Sequence, residues 1–226
     1  MPSATGDRVC KEETLEGIGL SSGRRAVFLD RDGVINKLVR DSNGVYESPL
    51  RVEDVCLTER AVEHIDRLRG VGFLILCVTN QPAAAKAKAL PADLDAIQRE
   101  VLRLLESGGS RIDGTRVCLH HPAGVVPELT GRCDCRKPAP GMLRSLADEF
   151  SLDLRSSWMI GDADTDVAAG AAAGVSTVLV LNPGSVHKRV GSSLPDFVAR
   201  DLGEAVSLVV SHSSAKRGGE QVTGAP

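Results

Sequence analysis

Apolar runs that stop abruptly on an acid or a hydroxyl recur along this chain, and they constrain its fold more than any other feature. AVFLD covers residues 26–30, FLILCVT residues 73–79 and SWMIGD residues 157–162. Between them lie segments that read as helices: ERAVEHIDRLRG at 59–70, a longer one opening at Pro91, one opening at Pro140, and DTDVAAGAAAG at 164–174. Strands that are apolar throughout must be covered on both faces. The alternation therefore predicts an α/β fold with a doubly wound parallel sheet. Further strands are expected at RVCLHH and VSTVLVLN, and a last helix at LGEAVSLVV. Residues 1–23 read as a flexible N-terminal arm and 213–226 as a disordered tail, which leaves a single domain over 24–212. Such sheets bind ligands at the carboxyl ends of their strands. Asp30, Thr79, Asn80 and Asp162 fall there.

Charge narrows the classes of partner. Lys and Arg number 27 against 30 Asp and Glu, so bulk attraction to nucleic acid or to an anionic membrane is not expected. One Trp, one Tyr and four Phe are too few for a base-stacking groove. The longest uncharged stretch, 167–186, is interrupted by Gly170, Gly174 and Pro183, so no bilayer span is expected. The opening residues are polar and lack an apolar signal core, and a cytoplasmic monomer is the expectation.

Five constellations carry chemistry, and four of them are built on oxygen and nitrogen groups. Asp30-Arg31-Asp32-Gly33 directly follows the first strand. Two carboxylates at this spacing suit a hard cation such as magnesium, which takes oxygen ligands and shares them with a substrate phosphate. An aspartate can also attack phosphorus itself, while a plain Asp/Gly turn is the competing reading. An EF-hand beginning at Asp30 is excluded, because Val34 and Ile35 stand where an oxygen ligand and a glycine are needed. Thr79-Asn80 offers a hydroxyl and amides to a phosphoryl oxygen, or simply forms a turn. Arg136-Lys137-Pro138 is either a pair of phosphate-neutralising cations or a solvated basic pair. In Gly161-Asp162-Ala163-Asp164-Thr165-Asp166, Asp162 at the strand tip reads as a further metal carboxylate. Asp166 reads as its support, and Asp164 or Thr165 as a helix cap.

The fifth constellation is soft. Cys118, His120, Cys133 and Cys135 supply three thiolates and one imidazole, a closed tetrahedral set for a structural zinc ion. His121 is left for a supporting or substrate role. The G-x-S-x-G match at 19–23 precedes the first strand and so cannot be a nucleophile elbow.

FLDRDGVIN, VTNQ, CRKPAPGML and MIGDADTD resemble, in this order, the four motifs of the haloacid dehalogenase superfamily of phosphotransferases. The Cys/His loop is similar to that of its histidinol-phosphatase and heptose-bisphosphatase subgroup. The twelve residues between His120 and Cys133 are more similar to the heptose branch. The resemblance implies a Rossmann-like fold and a magnesium-dependent phosphatase of a small phosphorylated sugar in heptose biosynthesis. It implies Asp30 as the nucleophile that becomes aspartyl-phosphate and Asp32 as general acid and base. Thr79 and Lys137 would hold the phosphoryl group. Asp30, the Asp32 backbone carbonyl and Asp162 would hold magnesium. Asn80, Arg136 and Lys86 would contact substrate, with Lys88 as a further cation for its distal end. Two departures stand out. TNQPAAAKAKAL replaces the usual TNQSGIARG, and Ala163 stands where Gly-Asp-Lys is common. No insertion is long enough for a cap domain, so short loops at 37–48, 82–88 and 119–134 are expected to shape an open cleft. A histidinol-phosphate phosphatase, a DNA-end phosphatase and a catalytically silent zinc-loop interaction module are the competing readings.

Overall fold

The computed structural model describes residues 23–41 and 43–218. Most of the expected N-terminal arm, and the chain beyond 218, lie outside the described residues. The apolar runs form strands β1 (Ala26–Leu29), β4 (Leu74–Asn80), β5 (Gly114–Cys118), β6 (Trp158–Gly161) and β7 (Ser176–Val180). A short β8 (Phe197–Ala199) completes a six-stranded sheet of order β5-β4-β1-β6-β7-β8, parallel at every pairing. The chain builds outward from β1 through β4 to β5, then returns to the other flank of β1 for β6, β7 and β8. This reversal opens a crevice between the carboxyl ends of β1 and β6. Asp30 and Asp162, each one residue beyond its strand, form the two lips of that crevice.

Alternation along the strands divides the core into two layers. Val27, Leu29, Ile75, Cys77, Trp158 and Ile160 face helices α1 (Ala61–Gly70) and α5 (Leu202–Gly218) and the end of α2 (Pro91–Ser107). Ala26, Phe28, Leu76, Val78 and Met159 face α3 (Gly141–Phe150) and α4 (Asp164–Ala173). Both faces are covered, which is why these strands carry no polar alternation. No helix among the described residues is long and apolar enough to cross a membrane.

Four features depart from the expectations. β5 begins earlier than RVCLHH and ends at Cys118, because the histidines turn away from the sheet into the Cys/His loop. The irregular stretch after Asp32 contains a small antiparallel hairpin, β2 (Val39–Arg40) with β3 (Tyr46–Glu47). Its turn is tied by Asp41 Oδ1, which accepts bonds from the backbone of Asn43 and Val45. β8 was not expected at all. Finally, α5 continues to Gly218, so the segment from 213 onward begins as helix and not as tail.

Candidate active site

The crevice gathers charge that the rest of the core excludes. Asp30, Asp32, Asp162, Asp166, Arg31 and Lys137 are all buried. Lys137 is the hub. Its Nζ lies 2.6 Å from Asp30 Oδ1, 2.5 Å from Asp166 Oδ1 and 2.7 Å from the Val78 carbonyl. Burial would lower the pKa of this ammonium, but Asp166 and Asp30 outweigh burial and hold it above its ordinary value. Asp166 does two jobs from the first turn of α4: one oxygen meets Lys137 and the other accepts the Ala163 backbone N–H at 3.0 Å. Gly161 is what allows this, since a Cβ there would lie 2.1 Å from Asp166 Cβ.

Asn80, expected to contact substrate, borders the cleft and also bonds Lys137. Its Nδ2 donates to the Lys137 carbonyl (3.0 Å) and its Oδ1 accepts the Lys137 N–H (3.1 Å). Asn80 therefore positions the lysine's backbone. Thr79 is buried at the floor of the cleft, where its hydroxyl accepts from Gln81 Nε2 at 2.9 Å.

The Asp32 side chain sits in a cradle of buried donors. Arg31 Nε and Nη2 fork its two oxygens at 3.0 Å each, Asn36 Nδ2 donates at 2.9 Å and Gln81 Nε2 at 2.5 Å. Burial alone would raise this pKa. The Arg31 charge and these bonds bring it down to about 2. Arg31, Asn36 and Gln81 belong to the first two motifs, but the sequence assigns them no role of their own. The one available signal was an arginine lodged between two aspartates at a strand end.

Asp30, Asp162 and Asp166 offer carboxylate oxygens within 4.8 Å of one another. The Asp32 carboxylate is not in that group, and the expectation assigned only its backbone carbonyl to a metal. Asp162 is fully buried, and neither of its carboxylate oxygens accepts a hydrogen bond. Burial raises its pKa, with Lys188 opposing and Asp166 adding to it. Asp30 is pushed up to about 7, chiefly by burial, with Lys137 opposing and Asp166 and Asp162 reinforcing. A buried, under-partnered pair of carboxylates fits a hard divalent cation, which supplies the missing positive charge. Gly33 leaves room for it: its φ is +100°, and a Cβ would lie 2.1 Å from Asp162 Oδ2.

The soft ligands also converge. Cys118 Sγ lies 3.6 Å from Cys133 Sγ, 3.3 Å from Cys135 Sγ and 3.8 Å from His120 Nδ1. Cys135 Sγ lies 3.2 Å from Cys133 Sγ and 3.6 Å from His120 Nδ1. A tetrahedron of bonds of about 2.3 Å has edges of about 3.8 Å, so these atoms fit zinc, and they lie far beyond disulfide bonding distance. His120, not His121, supplies the nitrogen. Arg136 follows this loop, donates to the His120 carbonyl at 3.0 Å and borders the cleft with Lys86. Lys88 lines the outer part of the cleft, where its ammonium pairs with Glu47 of β3 at 3.0 Å.

The cleft over the carboxylates holds about 360 Å³ and continues outward under the β2–β3 hairpin. A larger hollow of about 720 Å³ lies between the starts of α1 and α5, on the far side of Gly33, but Asp30, Lys137 and Asp162 do not open into it.

The HAD-hydrolase-like family model matches residues 134–205. That span includes β6, α4 and β7, and it carries both Lys137 and Asp162, so the class is that of haloacid dehalogenase-like hydrolases. Relatives extend the match over most of the chain. The D-glycero-β-D-manno-heptose-1,7-bisphosphate 7-phosphatase of Salmonella typhi is 32% identical over 184 residues, covering 81% of this chain and 94% of that protein. Its counterpart from Vibrio cholerae is 34% identical over 173 residues, covering 76% and 89%. Among solved structures, the D,D-heptose 1,7-bisphosphate phosphatase of B. bronchiseptica, complexed with magnesium and phosphate, matches with a TM-score of 0.69 at 27% identity. That match covers 83% of this chain and 99% of that one. The chain belongs to this family, the heptose-bisphosphate phosphatases of the haloacid dehalogenase class.

Proposed function

We propose that this protein removes the 7-phosphate of D-glycero-D-manno-heptose 1,7-bisphosphate through an aspartyl-phosphate on Asp30. The observation that carries the reading is the meeting of Asp30, Lys137 and an under-partnered Asp162 at the mouth of one crevice. Asp30 attacks phosphorus, and the bond from phosphorus to the sugar oxygen breaks. Asp32 gives the leaving oxygen its proton, then takes a proton from the water that releases phosphate. Held in the Arg31 fork, Asp32 is deprotonated but a weak base, so it must leave that fork to take the proton of water. To protonate the leaving oxygen, the carboxyl must leave the fork and arrive protonated. Lys137 offsets the repulsion between the Asp30 carboxylate and the phosphoryl oxygens, and Thr79 orients those oxygens. Asp30, Asp162 and the Asp32 carbonyl would hold magnesium, which would add positive charge beside the transferring group. Arg136 and Lys86 are left for the distal phosphate. Phosphate release from heptose 1,7-bisphosphate, as α and β anomers, and from histidinol phosphate and a 3′-phosphorylated nicked DNA tests the reading. The bisphosphate should have the highest kcat/KM, and a preference for histidinol phosphate overturns the assignment.

The elevated Asp30 pKa makes magnesium binding pH-dependent. Below about pH 7 the metal must displace a proton from this carboxyl. Magnesium is therefore expected to raise Tm more at pH 8 than at pH 5.5. An equal rise at both would show that no carboxyl holding the metal titrates between those values.

The same reading gives the protein a structural zinc on Cys118, His120, Cys133 and Cys135, with no position open to water. Purified protein should contain one zinc per chain. Cys133→Ser should lose the metal and lower Tm by roughly 5–10 °C, the equivalent of a few kcal/mol in a chain of this size. Activity should fall with it, because Arg136 and Lys137 follow directly on Cys135. Unchanged melting in zinc-free protein would make the cluster accidental. The reading takes the protein as a single phosphatase domain and a monomer, since the whole cleft is built from one chain. It takes the thiol-rich loop as suited to the reducing cytoplasm, and no nucleic-acid or membrane partner is invoked.

A further inference from the structure

The unpartnered Asp162 carboxylate does face one cation that the roles above leave unused. Lys188 stands at the end of a 3-10 segment, Pro183–Lys188, that follows β7. Its Nζ lies 3.6 Å from Asp162 Oδ2, and its side chain is only 28% exposed. It borders both the inner cleft, beside Asp30 and Asp162, and the outer part under the hairpin.

The backbone around Lys188 is fastened to the same strand tip on both sides. Before it, the buried Ser185 hydroxyl donates to the Asp162 carbonyl at 3.2 Å, and Asn182 Nδ2 donates to the Gly33 carbonyl at 2.9 Å. After it, Arg189 Nη1 reaches the Asp162 carbonyl at 3.3 Å and Ser185 Oγ at 2.7 Å. Asp164 Oδ2 then accepts the N–H groups of Val190 and Ser192 at 2.8 and 3.0 Å. Asp164 thus ties down this strap, a use the sequence did not reveal. A long cation on a flexible surface loop would be solvated. This one is aimed, and the neighbouring Ala163 has no charge to offer in its place.

We propose that Lys188 is a further substrate-contacting cation, which pairs with Asp162 and turns to the oxygens of the transferring phosphoryl group when a divalent cation takes that carboxylate. The inference rests on the phosphatase reading above. Support comes from position: the ammonium is 3.6 Å from Asp162 Oδ2 and borders the inner cleft beside Asp30 and Lys137.

The test uses Lys188→Gln and Lys188→Arg in the full chain, with inorganic phosphate as the probe. Calorimetry in saturating magnesium should find phosphate bound about tenfold more weakly by Lys188→Gln, the loss of one charge-assisted contact, and near-normally by Lys188→Arg. Without phosphate, magnesium should bind Lys188→Gln severalfold more tightly than wild type, because a competitor for Asp162 is gone. A residue that only props the strap would not produce this opposed pair of changes. On turnover, kcat/KM should fall by a similar factor for the bisphosphate and for a simple monophosphate. A fall confined to the bisphosphate would move Lys188 to the distal group and overturn the proposal, as would unchanged phosphate affinity. If wild type hydrolyses no sugar phosphate yet both binding changes are seen, the reaction assignment fails while the placement of Lys188 stands.

Discussion

Asp30→Asn is expected to fold normally and to lose about 10⁴-fold or more of kcat, the scale seen when a covalent nucleophile is removed. The amide keeps the shape of the carboxyl but cannot form an acyl-phosphate. Its effect on stability has a defined sign. Asp30 has a folded-state pKa of about 7 against an ordinary 3.8, so the native chain holds an extra proton between those values. That contribution favours the folded state at acid pH and is lost as pH rises through 7. The asparagine variant carries no such charge, so its Tm at pH 8 in the absence of metal should be no lower than wild type. Steady-state rates and a melting series from pH 5 to 8 check both parts. Retention of more than a trace of turnover would remove covalent catalysis at this residue.

Lys137→Met should do the opposite to the fold. The methionine fills the channel but leaves Asp30 and Asp166 facing each other without their shared cation, at a position that is 2% exposed. Removing one partner from a buried ion pair costs about 3–5 kcal/mol, or very roughly 10–15 °C in Tm for a chain of this length. Turnover should fall with it, because the phosphoryl oxygens lose their nearest fixed charge. Combining Lys137→Met with Asp30→Asn should recover part of the lost stability and none of the activity. If the double variant melts no higher than Lys137→Met alone, the repulsion described here is not the source of the loss.

The parts of this architecture legible in the sequence were those set by local pattern. Buried parallel strands are apolar throughout, so β1, β4, β6 and β7 announce themselves, and the polar residue that ends each run is where the crevice opens. Four soft ligands at short spacing identify the Cys/His loop in the same way. What escaped was set by contacts distant in sequence. β8 is three residues long, and the β2–β3 hairpin has two per strand, too short for any period to appear. Arg31 belongs to a residue type that is normally exposed, and it is buried only because Asp32 and Gln98 receive it. The bonds of Asn80 to Lys137, 57 residues on, and the exposed pair of Lys88 with Glu47 are made only by the fold and have no local pattern. Lys188 has no local signature; only the fold brings it to Asp162.

The strand order has a consequence for how the chain is made. β1 lies between β4 and β6, so as the polypeptide leaves the ribosome the N-terminal half can assemble β1, β4 and β5 while one edge of β1 still has no neighbour. That edge belongs to Ala-Val-Phe-Leu, an apolar strand with no charge to discourage a foreign one. It stays open until residues 158–161 are synthesised and β6 seals it. A nascent chain is thus both inactive and sticky for most of its elongation. Truncated translation products ending before β6 should be the species that engage chaperones or precipitate, while the finished protein presents no such edge at its centre.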